Sequence, residues 1–110
     1  CILTDIYHIH RGGSEFAGLA LLAPAALRHM HVNDYPGGIA REKLTDADRV
    51  YPGDGVAPIV EVLGNLARRG FSLTLSLELF NPGYWQQDPF QVAQMGLKKT
   101  KAVAAAALAG

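Results

Sequence analysis

Strict alternation marks residues 71 to 80, "FSLTLSLELF", as a strand: Leu73, Leu75, Leu77 and Leu79 take one face, and Ser72, Thr74, Ser76 and Glu78 the other. Upstream, Ile59, Val62, Leu63 and Leu66 recur at helical spacing, which predicts a helix over residues 57 to 69 closed by Gly70 in the C′ position. Residues 1 to 9, "CILTDIYHI", are rich in β-branched and aromatic residues and stop at "RGG", so they read as a strand. Ser14 then caps a short helix over about residues 15 to 22, which Pro24 prevents from continuing. A further strand follows over residues 27 to 33. Asp88 and Pro89 supply an N-cap and a first-turn proline for a helix over about 89 to 108, with Phe90, Ala93 and Leu97 as its inner stripe.

Strand and helix therefore alternate three times, the pattern of a parallel sheet with right-handed crossovers. An open doubly wound sheet wants strands that are apolar on both faces, because helices cover both. The strand at 71 to 80 has one apolar and one polar face. That suits a closed (β/α)₈ barrel, where one face lies under helices and the other lines the interior. The expectation is an α/β fold in which residues 1 to 110 form one part of a single TIM-barrel domain. Between residues 33 and 57 runs a loop much longer than the usual 2 to 6 or so residues of such units, punctuated by Pro36, Gly37, Gly38, Pro52, Gly53 and Gly55.

Composition narrows the classes. Ten basic and ten acidic residues cancel, so no global field draws the chain to nucleic acid or an anionic membrane. No apolar run approaches the roughly 20 residues of a membrane span. The single cysteine, Cys1, sits among apolar neighbours and reads as a small buried hydrophobe. A reducing, cytoplasmic setting is the expectation.

Candidate chemistry lies at the strand ends. Asp5 and His8 belong to the first strand, His29 and His31 to the second and Glu78 to the third, and all four histidines of the chain fall on or directly beside the first two strands. In an α/β barrel the carboxyl ends of the strands build the site. Within "HMH", residues two apart face the same way, so His31 reaches the mouth as a ligand candidate while His29 sits a layer deeper as a structural residue. Asp, His and Glu together form an oxygen and nitrogen donor set suited to one divalent ion, Mn²⁺, Co²⁺, Mg²⁺ or Zn²⁺. Each group also has an ordinary reading. Glu78 can face water, Asp5 can cap a turn, and His8 and His10 can be surface or core histidines, the reading preferred for His10. Three independent strands ending in a potential ligand favour the shared site.

"DIYH", "HMHVND", "RVYPGDG" and "SLELFN", in this order and at these separations, resemble the carboxyl-terminal part of the xylose-isomerase-like TIM barrels, across nearly all 110 residues and the last three of eight βα units. That superfamily includes sugar and sugar-phosphate isomerases and epimerases and inosose-processing enzymes. The resemblance implies that Asp5, His31 and Glu78 are three of four ligands to one divalent metal, the fourth being a glutamate with no counterpart in this chain. It implies that His8 contacts substrate and that Glu78 is also one of two acid/base carboxylates. Where many epimerases carry a substrate-binding arginine, this chain has Gly37, and Arg49 is the replacement candidate.

The implied activity is metal-assisted isomerisation or epimerisation of a small sugar or sugar phosphate through an enediolate, by the complete barrel and not by these 110 residues alone. The implied partners are the remaining barrel units or further copies of the chain. The rivals are an inosose-type dehydratase, a phosphodiesterase related to endonuclease IV, which needs more histidines and a basic face, and a non-catalytic interaction module. Tyr35, Tyr51 and Arg49 are candidate lid or wall residues, and Tyr84 and Trp85 either stack on a sugar or anchor loops. Three units cut from a barrel leave two unpaired strand edges, which favours association of the isolated segment.

Overall fold

The computed structural model describes residues 1–110. Three parallel strands form one sheet in the order β1-β2-β3, with β1 at Ile2–Asp5, β2 at Leu27–Val32 and β3 at Thr74–Leu77. Helices α1 (Ile6–Arg11), α2 (Ile59–Arg68), α3 (Pro82–Trp85) and α4 (Pro89–Ala109) intervene or follow, with short 3₁₀ turns at Phe16–Leu21, Pro24–Ala26, Arg41–Lys43 and Asp46–Asp48. The strand order never reverses. With crossovers of one hand, such a sheet carries its helices on a single face and leaves the other for an interior. No helix is long and apolar enough to cross a membrane.

Register defines that interior. Leu3 is aligned with His29 and His29 with Thr74, while Asp5 is aligned with His31 and His31 with Ser76. These form two successive layers on the inner face. On the outer face Met30 pairs with Leu75 and Val32 with Leu77. Leu27, Met30 and Val32 are fully buried there in one apolar core with Ile6, Leu44 and the α2 residues Ile59, Val62, Leu63 and Leu66. The stripe predicted for α2 is thus the stripe that packs. Its end follows the Schellman pattern: Phe71 N–H donates to Leu66 C=O (3.1 Å), Gly70 N–H donates to Ala67 C=O (3.0 Å), and Gly70 takes φ +84°.

Several boundaries differ from the sequence reading. The first strand ends at Asp5 rather than at residue 9, because the Asp5 side chain accepts from His8 N–H and caps α1 at once. The capping signal outweighs the β-propensity of "IYHI". Residues 16–21 form a 3₁₀ turn instead of an α-helix. Its N-cap is Glu15 with no side-chain bond, so Ser14 caps nothing, and Leu19 is its only buried residue. The third strand pairs only over Thr74–Leu77; Glu78, Leu79 and Phe80 leave the ladder. The short helix α3 was not foreseen, although Asn81 caps it by accepting from Gly83 N–H and Pro82 opens it.

On α4 the Asp88 cap is present, its side chain accepting from Gln91 N–H, but Phe90, Ala93 and Leu97 are exposed. The buried residues are Gly96, Val103 and Ala107. A Cβ at position 96 would lie 2.3 Å from Leu77 Cδ2, so α4 approaches β3 along small residues and its bulky ones turn outward. Cys1 is exposed, not buried.

Candidate metal centre

Asp5 closes β1 and, as the cap of α1, has one oxygen committed: Oδ1 accepts from His8 N–H at 3.0 Å. His31 stands on the aligned position of β2, and Glu78 lies one residue past the last paired position of β3. The three side chains converge. His31 Nδ1 is 3.4 Å from Asp5 Oδ2 and 3.2 Å from Glu78 Oε2, and one donor atom from each residue lies within 4.8 Å of the other two. The predicted alternation also holds, with the His29 ring behind that of His31 at 5.9 Å between centroids.

The donor set fits a divalent ion in chemistry and in spacing. Ligand atoms about 2.0–2.2 Å from a tetrahedral centre are about 3.3–3.6 Å apart, close to the 3.4 and 3.2 Å that separate His31 Nδ1 from the two carboxylates. These donors border an open cleft of about 510 Å³, walled also by Leu3, Thr4, His8, Ile9 and Ser14.

Asn33 was not singled out from the sequence, yet it organises the centre. Fully buried, it accepts from Tyr7 N–H through Oδ1 (2.8 Å), while Nδ2 donates to both Asp5 oxygens (3.2 Å each) and lies 3.4 Å from Glu78 C=O. Continuing the inward register of 29 and 31 by two residues would have found it.

Arg49 is placed differently from the open lid expected of it. It is 1% exposed and lies behind the cleft wall. Its Nη1 reaches Glu78 Oε2 (3.2 Å) and Asp5 Oδ2 (3.4 Å), and its Nη2 pairs with Asp46 and approaches His8 Nε2 (3.0 Å). The guanidinium also stacks over Tyr7, 4.5 Å from the ring centroid. His8, whose Nε2 accepts that contact, is exposed and lines the cleft.

The aromatic residues considered as lid or sugar platform divide. Tyr35 and Tyr51 are buried, and Tyr51 N–H donates to the Tyr84 hydroxyl (3.2 Å), so Tyr51 and Tyr84 anchor the loop. Burial pushes both phenols above their ordinary pKa, keeping them protonated. Trp85 remains exposed.

His10 stacks on Tyr35 with centroids 4.1 Å apart and planes within 12°, away from the centre. Burial, and then Arg41, lower its pKa below the ordinary 6.5. The unfolded chain therefore binds the His10 proton more readily than the folded one, and this contribution to stability declines as pH falls below about 6.5. In the full-length protein, His10→Phe keeps the stack and is expected to flatten the decline of the thermal midpoint between about pH 7 and 5. An unchanged slope would assign that decline to other groups.

Comparison with known proteins identifies the family. The family model described as xylose isomerase-like TIM barrel matches residues 2–103. An inosose isomerase of Halalkalibacterium halodurans is 36% identical over 88 residues, covering 77% of this chain and 30% of that protein. The inosose isomerase of Bacillus subtilis is 32% identical over 102 residues, covering 90% and 35%. The chain thus spans about a third of the length of the curated relatives it matches. Among solved structures, that of an IOLI protein with a bound zinc atom superposes with a TM-score of 0.86 at 31% identity, over 94% of this chain and 37% of that one. A xylose isomerase domain protein of Alicyclobacillus acidocaldarius gives 0.74 at 27% identity, over 96% and 37%.

Proposed function

Because the chain belongs to the xylose isomerase-like TIM-barrel family, we propose that it contributes three βα units and three metal ligands to a divalent-metal isomerase or epimerase acting on a small polyhydroxylated ketone or aldose. The observation that carries this reading is the convergence of Asp5, His31 and Glu78 from three neighbouring parallel strands. The inosose isomerase relatives favour a keto-inositol over a linear sugar. The zinc in the related IOLI structure favours Zn²⁺ among the candidate ions.

In this reading Asp5, His31 and Glu78 would hold the ion, which when bound would supply a Lewis acid to polarise the substrate carbonyl. Glu78 is half-buried and borders the cleft, so its carboxylate is the group able to take a proton from the carbon beside that carbonyl and return it to the neighbouring carbon; return to the opposite face needs a second carboxylate across the substrate. Asn33 and the cap to His8 N–H fix the direction of Asp5 by supplying donors to its oxygens. His8, at the cleft wall, is placed to meet a substrate hydroxyl. Arg49 acts from behind, through the two carboxylates it touches.

The test uses the full-length protein. One divalent ion per chain is expected by elemental analysis, together with incorporation of solvent deuterium beside the carbonyl when an inosose is supplied in D₂O. Loss of a hydroxyl from the product would move the assignment to a dehydratase. Absence of both metal and exchange would favour a non-catalytic module.

A further inference from the structure

The loop of residues 33–57 is tied down by one carboxylate. Asp34 is 1% exposed and has no cationic partner, a costly placement unless its oxygens are bonded. They are. Oδ1 accepts from Tyr35 N–H and Ala57 N–H (both 2.9 Å), and Oδ2 accepts from Gly53 N–H (2.9 Å) and Gly55 N–H (3.1 Å). The approach is so close that a Cβ at Gly55 would lie 2.2 Å from Tyr35 O and 2.4 Å from Asp34 Oδ1. The backbone of Asp34 meanwhile exchanges two 3.0 Å hydrogen bonds with Val50, next to Arg49.

We propose that Asp34 is the positioning residue of the centre: by clasping both ends of the loop it sets Val50, and through it the Arg49 guanidinium, against Asp5 and Glu78. This deepens the functional reading and rests on it, because what is positioned is the pair of carboxylates assigned to the ion. The Arg49 guanidinium is also held by its pair with Asp46 and its stack over Tyr7, and Asn81 Nδ2 donates to the Arg49 carbonyl at 3.1 Å. Its own Nε is buried without a partner, so the bridge at Val50 sets where the backbone delivers a side chain whose far end those contacts then hold. A guanidinium hydrogen-bonded to metal-binding carboxylates orients them, and losing such an outer partner commonly weakens metal binding by about 10–100-fold.

The experiment compares full-length wild type with Asp34→Asn, Arg49→Met and the double variant, using Zn²⁺ alone as the titrant and the ¹⁵N guanidinium resonances of Arg49 as a second readout. Asp34→Asn preserves volume but replaces one oxygen by a donor facing other donors. Expected are a cooperative thermal transition, collapse of the resolved Arg49 Nη signals into averaged ones, and a Zn²⁺ dissociation constant raised about tenfold. Arg49→Met should raise it equally and the double variant no further. Unchanged Arg49 signals in Asp34→Asn, or effects that add in the double variant, overturn the proposal. Should Asp34→Asn fail to fold, amide exchange in the wild type decides instead. Slow exchange shared by residues 35, 53, 55 and 57 supports the clasp, and fast exchange at these sites refutes it. A wild type that takes no Zn²⁺ defeats the metal reading alone, since the guanidinium comparison then still judges Asp34.

Discussion

Glu78→Gln in the full-length protein is expected to lower turnover by roughly 10²–10⁴-fold, the range lost when a positioned proton-transfer group is removed. The substitution keeps volume and one acceptor oxygen but abolishes the charge that both His31 Nδ1 and Arg49 Nη1 approach at 3.2 Å. Two consequences separate the roles assigned to this side chain. Weaker binding of the ion should appear as substoichiometric metal after dialysis. Lost proton transfer should appear as slow solvent-deuterium exchange even at saturating Zn²⁺. Asp5→Ala and His31→Ala should show the first effect severely, whereas His10→Ala should show neither, because its ring lies against Tyr35. Normal turnover by Glu78→Gln would remove the proposed mechanism, since the cluster's other carboxylate, Asp5, is occupied by His8 N–H and Asn33 Nδ2.

The parts of this centre legible in the sequence are those governed by period. Alternation along "HMH" and "SLELF" assigns His31 and Glu78 to one face, and register then aligns Asp5 with His31 without further information. The helix α2 was equally readable, because a regular stripe and a C′ glycine specify both its face and its end. What escaped were features decided by contact across the chain. The inner stripe of α4 consists of Gly96, Val103 and Ala107, which meet Leu77 of β3, Gly53 of the loop and Gly64 of α2 at close range, so ranking side chains by size selected the wrong face. Arg49 reads as a lid or wall residue because it belongs to the long loop that follows His31. Its burial depends on amides that meet only when residues 34 and 53 to 57 are brought together. Asp5 shows a third case: the cap is present, yet it uses one carboxylate oxygen and leaves the other facing His31 Nδ1, so the capping reading does not compete with the site reading.

Asn33→Leu is expected to be the most damaging change outside the three clustered residues, in stability and in metal binding together. The asparagine is wholly buried, so its partners cannot turn to water when it goes. Tyr7 N–H would lose its 2.8 Å acceptor and Asp5 would lose donors to both oxygens. Leaving a buried group unsatisfied costs about 1–3 kcal/mol, and more where the group is charged. A loss of about 3 kcal/mol in chemical denaturation of the metal-free full-length protein is therefore the expectation. Asp5 would keep its cap to His8 N–H but would be free to rotate about it, so Zn²⁺ affinity should also fall by about 10–100-fold. Asn33→Asp gives the contrast. Its Oδ atoms can still accept from Tyr7 N–H, yet a second carboxylate now faces Asp5, whose repulsion a divalent cation relieves. The metal-free form should be destabilised and the addition of Zn²⁺ should recover more stability than in the wild type, a difference that a role for Asn33 in packing alone would not produce.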